Sequence, residues 1–388
     1  MPGLRNLFQL DPTVTFLNHG SFGATPKPVF ETYQDWQRRL ERQPVLFLGR
    51  ELDALLKESR QALGEYLKAD TDDLIYIPNA TQGVNIVSRS LSLQAGDEIL
   101  TSNHEYGACD YSWDFSCMKT GAKYIRQPIR LPVHTEEEIV EQFWLGVTPA
   151  TKAIYLSHIT SSTALRIPVE KICKRARQAG ILTVVDAAHS PGQIQVDLQD
   201  LGADMVFGNC HKWMLAPKSA AFLYVRKEVQ QMVEPLIVSW GFNATAETTT
   251  GSRFVDLFQW TGTKDPAAAL SVPKAIQFMK ENDWDEVRHE CHLLLRQAIE
   301  RICRLTGLPP LYPLDSNFYS QMGIAPLPPS DIGLLKSRLY DEYKIEIPLI
   351  QWQDQQFIRI SVQGYNAQDD IDRLVEALKV LLPQVLIH

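Results

Sequence analysis

The sequence predicts an α/β protein: a mostly parallel sheet covered by helices on both faces, followed by a smaller α+β domain. Three observations carry this. From about residue 74, short apolar runs alternate with helix-length amphipathic segments, the pattern of strands buried on both faces by crossover helices. At 388 residues, 45% of them apolar, the chain is long for one core and implies two domains. Beyond the proline-rich stretch Pro309 to Pro329 the texture changes to helix, strand, strand, helix.

Taken in order, Leu74-Ile-Tyr-Ile77 is a strand, about Thr81 to Leu93 a helix, and Glu98-Ile-Leu-Thr101 the next strand. Lys123–Arg126 and Lys152–Leu156 follow as strands, then a helix near Val169 to Ala179 and strands at Leu182–Val185 and Asp204–Phe207. Residues 264–305 read as two helices joined near Asn282-Asp283. The last third gives a helix at about Asp331 to Tyr343, strands at Ile345–Ile347 and Phe357–Ser361, and a helix from about Asp369 to Leu382. The expected division is a large domain over 14–265, with 1–13 and 266–388 forming the small domain and its linking helix. Ala244 to Ser252 reads as a short polar loop.

A formal charge of −8 without a basic tract argues against nucleic acid or an anionic membrane as partner, which leaves small molecules. No charged segment followed by an apolar one opens the chain, and no apolar run approaches the roughly 18 residues of a membrane span. A soluble, cytoplasmic protein is expected. The six cysteines form no C-x-x-C pair and are read as reduced thiols filling the core.

In open parallel sheets ligands gather at the carboxyl ends of strands. Four polar clusters fall there: Asn79-Ala-Thr-Gln82, Ser157-His-Ile-Thr160, Asp186-Ala-Ala-His189 and His211-Lys212. Lys212 ends an apolar strand, where lost solvation lowers an amine toward the range useful for imine formation. Taken alone it is an ordinary lysine. Asp186 ends the preceding strand, where a carboxylate needs a partner; a pyridinium N–H is one, and a helix N-cap is the plain alternative. Together the lysine and the aspartate point to pyridoxal phosphate, joined to Lys212 as a Schiff base.

Asn79-Ala-Thr-Gln-Gly-Val-Asn85 joins a strand to a helix, so its free N–H groups and the Thr81 hydroxyl suit a phosphate as well as an ordinary cap. Gly262-Thr263-Lys264 lacks the spacing of a nucleotide loop. His104, His158, His189 and His211 lie at strand ends, but their spacings match no metal motif, and no metal is expected. Cys210 and His211, as strand neighbours, point to opposite faces and make a poor nucleophilic pair. Arg359, on the strand Ile358-Arg-Ile-Ser361, needs a carboxylate, from a substrate or from the chain's own acids.

These residues together resemble the class V aminotransferases of the fold type I pyridoxal-phosphate enzymes, in particular the isopenicillin N epimerase-like branch. The match runs from Leu17-Asn-His-Gly-Ser-Phe-Gly23 through Asn79-Ala-Thr81, His104-Glu-Tyr-Gly107, Ser157-His-Ile-Thr-Ser161, Asp186-Ala-Ala-His-Ser-Pro-Gly192, His211-Lys212 and Trp260-Thr-Gly-Thr263 to Ile358-Arg-Ile-Ser-Val-Gln-Gly-Tyr-Asn366. The resemblance implies a seven-stranded, mostly parallel sheet in the large domain, a small domain, and a homodimer with shared active sites. It implies that Lys212 carries the cofactor, Asp186 pairs with the ring nitrogen and Tyr106 stacks on the ring. Ala80, Thr81, Asn209 and His211 would surround the phosphate, with Thr263 from the second subunit, and Ser161 and His189 would lie near the phenolic oxygen. Arg359 would hold the substrate carboxylate, with Asn18 and His19 closing over it.

Cysteine desulfurases of this family carry a cysteine before the strand of Arg359, whereas Ile347 to Gln356 here contains none. Sulfur transfer through a persulfide is therefore not expected. Epimerisation, transamination and C–S lysis share one α-carbanion and remain open, and Tyr106, with His104 as neighbour, is the candidate acid on the face opposite Lys212. A non-catalytic cofactor carrier or a scaffold built on this fold is the rival reading, disfavoured because Lys212, Asp186 and Arg359 are all present and a carrier would not require Arg359.

Overall fold

In the computed structural model, which describes residues 3–387, the apolar runs become twelve strands. They are β1 Thr15–Phe16, β2 Leu74–Ile77, β3 Glu98–Ser102, β4 Lys123–Gln127, β5 Thr151–Ser157, β6 Leu182–Asp186, β7 Met205–Asn209 and β8 Ala221–Val225, then β9 Met322–Leu327, β10 Ile345–Glu346, β11 Leu349–Trp352 and β12 Gln355–Ser361. The large sheet has the order β2-β8-β7-β6-β5-β3-β4. Only β8 opposes the rest, pairing antiparallel with both β2 and β7. The predicted fold class is therefore the observed one.

Burial explains the composition of these strands. Every residue of β7 and β8 is buried, because helices cover both faces and leave no position for a polar outward side chain. The parallel direction brings the carboxyl ends of β5, β6 and β7 to one edge, with Ser157 paired to Asp186 and Asn209 facing Ala221. Beside them begins the helix Ala80–Ser90, capped by Asn79, whose side-chain oxygen accepts from the Gln82 N–H at 2.9 Å. Its Gly83 lies so close to Phe207 of β7 that an added Cβ would stand 2.6 Å from the phenylalanine Cβ.

The second sheet, β11-β12-β9, is antiparallel; its β9 packs against the long helix Trp284–Thr306, on which the helix Gln368–Val385 packs in turn. Two of its strands were not legible in the sequence. β9 carries Pro326, which the sheet tolerates because β9 is an edge strand and proline's missing N–H faces outward. β11 lies within Ile347 to Gln356, where the sequence marks no element. The short strand β10, predicted at Ile345–Ile347, pairs in parallel with β1. That pairing, with the bond from Ser361 N–H to Leu17 O at 2.9 Å, draws the amino-terminal segment across to the second sheet. Among the described residues no helix is long and apolar enough to cross a membrane.

The turn after Asp186 depends on one glycine. Gly192 has φ +90°, and a Cβ there would stand 2.2 Å from the carbonyl oxygen of Trp213. Gly192→Ala should therefore lose roughly 3 kcal/mol of stability in urea unfolding, from the left-handed backbone and the overlap together. An unchanged midpoint would mean that the backbone of Trp213 is not pinned there.

Candidate active site

The carboxyl edge of the large sheet opens into a cavity of about 350 Å³, the size of a small-ligand site. Lining it are Ala80, Thr81, Tyr106, Ser161, Asp186, His189, Asn209, His211 and Lys212, all proposed from the sequence, together with Ser21, Phe22, Lys218 and Ser219, which were not. Ser21 and Phe22 end the short helix His19–Phe22, and Lys218 and Ser219 lie in the turn before β8, where the spacing announces nothing.

Lys212 faces this cavity. Its Nζ lies 3.2 Å from His189 Nε2, and burial, seconded by the charge of Arg359, pushes its pKa down to about 8 against the opposing pull of Asp186. Asp186 is buried, and burial raises its carboxyl above the ordinary range. One oxygen accepts from Ala188 N–H at 2.7 Å; the other takes long bonds from Tyr155 Oη at 3.4 Å and Cys109 Sγ at 3.6 Å. No cation pairs with it within 4 Å among the described residues. Beneath it Glu105, raised to about 8 by burial, accepts from Ser157 N–H at 2.9 Å and from the hydroxyls of Ser157 and Ser102, both at 2.6 Å. It joins the ends of β3 and β5, a role hidden in the sequence because an isolated glutamate reads as surface.

At the opposite side the helix Ala80–Ser90 presents its amino terminus. The Ala80 N–H is taken by Asn209 Oδ1 at 3.0 Å, which leaves the amide hydrogens of Asn209 as donors. His211 gives its Nδ1 hydrogen to Ala220 O at 3.1 Å, and burial with the charge of Lys212 lowers it to about 4. A bound dianion would oppose both effects and favour the charged ring. Thr81 is exposed at the helix start.

Arg359 is 5% exposed. Its Nη1 donates to Ser161 O at 2.6 Å and Oγ at 3.3 Å, its Nη2 to Ser21 Oγ at 3.2 Å, and its Nε has no partner. Asn18 Oδ1 stands 3.5 Å away, and the Asn18 Nδ2 donates to Glu346 Oε1 at 2.8 Å. No acidic side chain lies within 4 Å of this guanidinium among the described residues, so the salt bridge to the chain's own acids, which the sequence left open, is absent. Burial lowers it to about 10.

Two expected neighbours stand elsewhere. His19 is fully buried, with Nδ1 at 3.0 Å from Tyr365 Oη and Nε2 at 3.1 Å from the carbonyl of Lys212; burial lowers it to about 3. It braces the backbone of Lys212 and does not line the cavity. His104 is likewise occupied, by Thr163 Oγ1 at 2.7 Å and Ile129 O at 2.8 Å, and its ring packs 4.5 Å from that of Trp352. It has no free nitrogen to serve Tyr106. Thr263 is exposed and lies outside the lining of its own chain's cavity.

The set fits pyridoxal phosphate on its chemistry: an anion cradle at a helix terminus, a buried carboxylate without a cation, and an amine of lowered pKa between them. His19→Ala should reduce stability by about 3 kcal/mol, because it empties a packed site and strands buried hydrogen-bonding groups. A stable His19→Ala with weakened ligand binding would instead return His19 to the cavity.

The aminotransferase class-V family model matches residues 21–317. Isopenicillin N epimerase of Amycolatopsis lactamdurans is 34% identical, over 97% of each chain. A protein described as a probable L-cysteine desulfhydrase, chloroplastic, of Arabidopsis thaliana is 28% identical, over 96% of this chain and 84% of that one. A solved cysteine desulfurase from Escherichia coli superposes with TM-score 0.82 at 20% identity, over 99% of this chain and 98% of that chain, which shows a shared fold. By this match across most of its length, the chain belongs to the aminotransferase class-V family of pyridoxal-phosphate enzymes.

Proposed function

We propose that the protein acts at the α-carbon of an amino acid or amino-acid-derived substrate, with isopenicillin N epimerase-like exchange of the α-hydrogen as the leading reaction. The observation that carries this is Arg359, a buried guanidinium beside the cavity of Lys212 with no acid of its own chain. A planar guanidinium suits a carboxylate in two-point contact. A cofactor carrier would not require it.

Bound pyridoxal phosphate supplies an aldehyde that takes up an amine and a ring that withdraws electrons from the α-carbon. In this reading Lys212 would hold the cofactor, Asp186 would keep a proton on the ring nitrogen, and Asn209, His211 and Thr81 would hold the phosphate. Arg359 orients the carboxylate, so the α-hydrogen stays near the amine of Lys212, which takes the proton. Tyr106, half exposed at the cavity mouth, would stack on the ring and offer its hydroxyl on the other face, without help from His104.

Elimination of a sulfur substituent is the second reading, favoured by the relative described as a desulfhydrase. The same α-proton removal serves it. All six cysteines are buried, none lines the cavity, and none lies in the β11–β12 hairpin, which argues against a persulfide carrier.

A homodimer is part of the proposal. Phe22 (73% exposed), Tyr111 (74%), Met118 (74%) and Trp240 (83%) leave large apolar groups uncovered. A second copy would cover them and could bring its Thr263 loop to the phosphate side. Met118→Glu with Trp240→Glu should sediment as a monomer and bind pyridoxal phosphate more weakly; a parent protein that is monomeric at micromolar concentration would defeat this part.

Arg359→Lys should keep the cofactor's visible absorbance and bind amino acids at least tenfold more weakly, because lysine offers a point charge in place of a fork. Normal ligand affinity in the folded variant would remove Arg359 from the substrate site. L- and D-amino acids screened for α-hydrogen exchange in D₂O, keto acid and released sulfide will separate the reactions. For an epimerase, Tyr106→Phe should stop interconversion of the enantiomers while exchange continues with one of them; equal racemisation in variant and parent would exclude the tyrosine.

A further inference from the structure

Trp213 follows Lys212, is fully buried and stays outside the cavity lining. Its indole Nε1 lies 3.2 Å from His189 Nδ1, and across the same imidazole Nε2 lies 3.2 Å from Lys212 Nζ. An indole N–H only donates, so Nδ1 must offer a lone pair. Burial, with the charges of Lys212 and Arg359, holds His189 well below its ordinary pKa, and the ring is neutral. A neutral imidazole carries one N–H. That hydrogen is on Nε2, facing Lys212.

We propose that Trp213 is a positioning residue which, by donating to Nδ1 from behind the cavity, fixes His189 in the Nε2–H tautomer. His189 is then always a donor toward the amine of Lys212 and toward any ligand oxygen that takes the amine's place. A donor at this point makes Lys212 accept with its lone pair, which favours the free amine that attacks a carbonyl. The other tautomer would present a lone pair and favour the ammonium. Trp213 is itself held: its ring packs 4.8 Å from that of His19, and its carbonyl lies against Gly192. A phenylalanine would keep the packing and lose the hydrogen. The inference rests on Lys212 being the reacting amine.

The test uses the full-length protein labelled with ¹⁵N-histidine, the His189 signals being identified by their loss in His189→Gln. In the parent, Nδ1 should show the shift of an unprotonated nitrogen and Nε2 that of a protonated one. In Trp213→Phe the two shifts should move toward each other as the tautomers mix, and the reactivity of Lys212 with a carbonyl probe at pH 7 should fall by about tenfold, the effect of one pKa unit. The reverse tautomer in the parent overturns the proposal without any variant, so a Trp213→Phe that fails to fold does not shield it; unchanged shifts in a folded variant overturn it equally. Borohydride reduction followed by peptide mapping tests Lys212 separately. Another lysine trapped there would defeat the functional reading and leave the tautomer measurement standing.

Discussion

The structure depends on the removal of water from three ionisable side chains that the protein leaves without ion-pair partners. Asp186 and Arg359 are 4% and 5% exposed, and Lys212 is pushed to about 8 by burial. A fold that only needed stability would pair such groups or replace them by apolar ones. Here their hydrogen bonds come from neutral groups: Ala188 N–H on Asp186, His189 on Lys212, Ser161 on Arg359. Their charges thus remain available to a ligand, and desolvation strengthens whatever contact they make with it.

The remaining architecture holds these groups in place. Parallel strands β5, β6 and β7 deliver Ser157, Asp186 and Asn209 to one edge. Glu105 ties the edge from below, and the amino-terminal segment reaches across it. Gly23, at φ +70°, comes so close to the backbone of His211 that a Cβ would stand 2.2 Å from its carbonyl. His19 grips the carbonyl of Lys212 from the same segment, while Ser21 meets Arg359. The segment that β1 ties to β10 is therefore also a wall of the site.

Much of this was legible in the sequence. The parallel strands announced themselves because burial on both faces demands continuous apolar runs, and the site residues stood out as polar clusters ending those runs. β8, five buried residues from Ala221 to Val225, follows β7 without a crossover helix, so the alternation of strand and helix did not mark it, and β9 was hidden by Pro326. Motif order placed the cavity residues together but did not distinguish a group facing the ligand from one facing the backbone. His19 and His104 lie in matching motifs, yet each has both ring nitrogens engaged by the protein. Trp213 was visible only as an aromatic after the lysine, since tautomer control is a matter of direction and no residue pattern encodes it.

The most direct measurement is the pKa of Lys212 in cofactor-free protein, followed through its side-chain nitrogen by NMR with lysine labelling and assigned by Lys212→Ala. Burial disfavours the ammonium, so the amine should lose its proton as pH rises through about 8. A midpoint near the ordinary 10.5 would mean that water reaches the lysine freely, and would contradict the view that desolvation prepares this site.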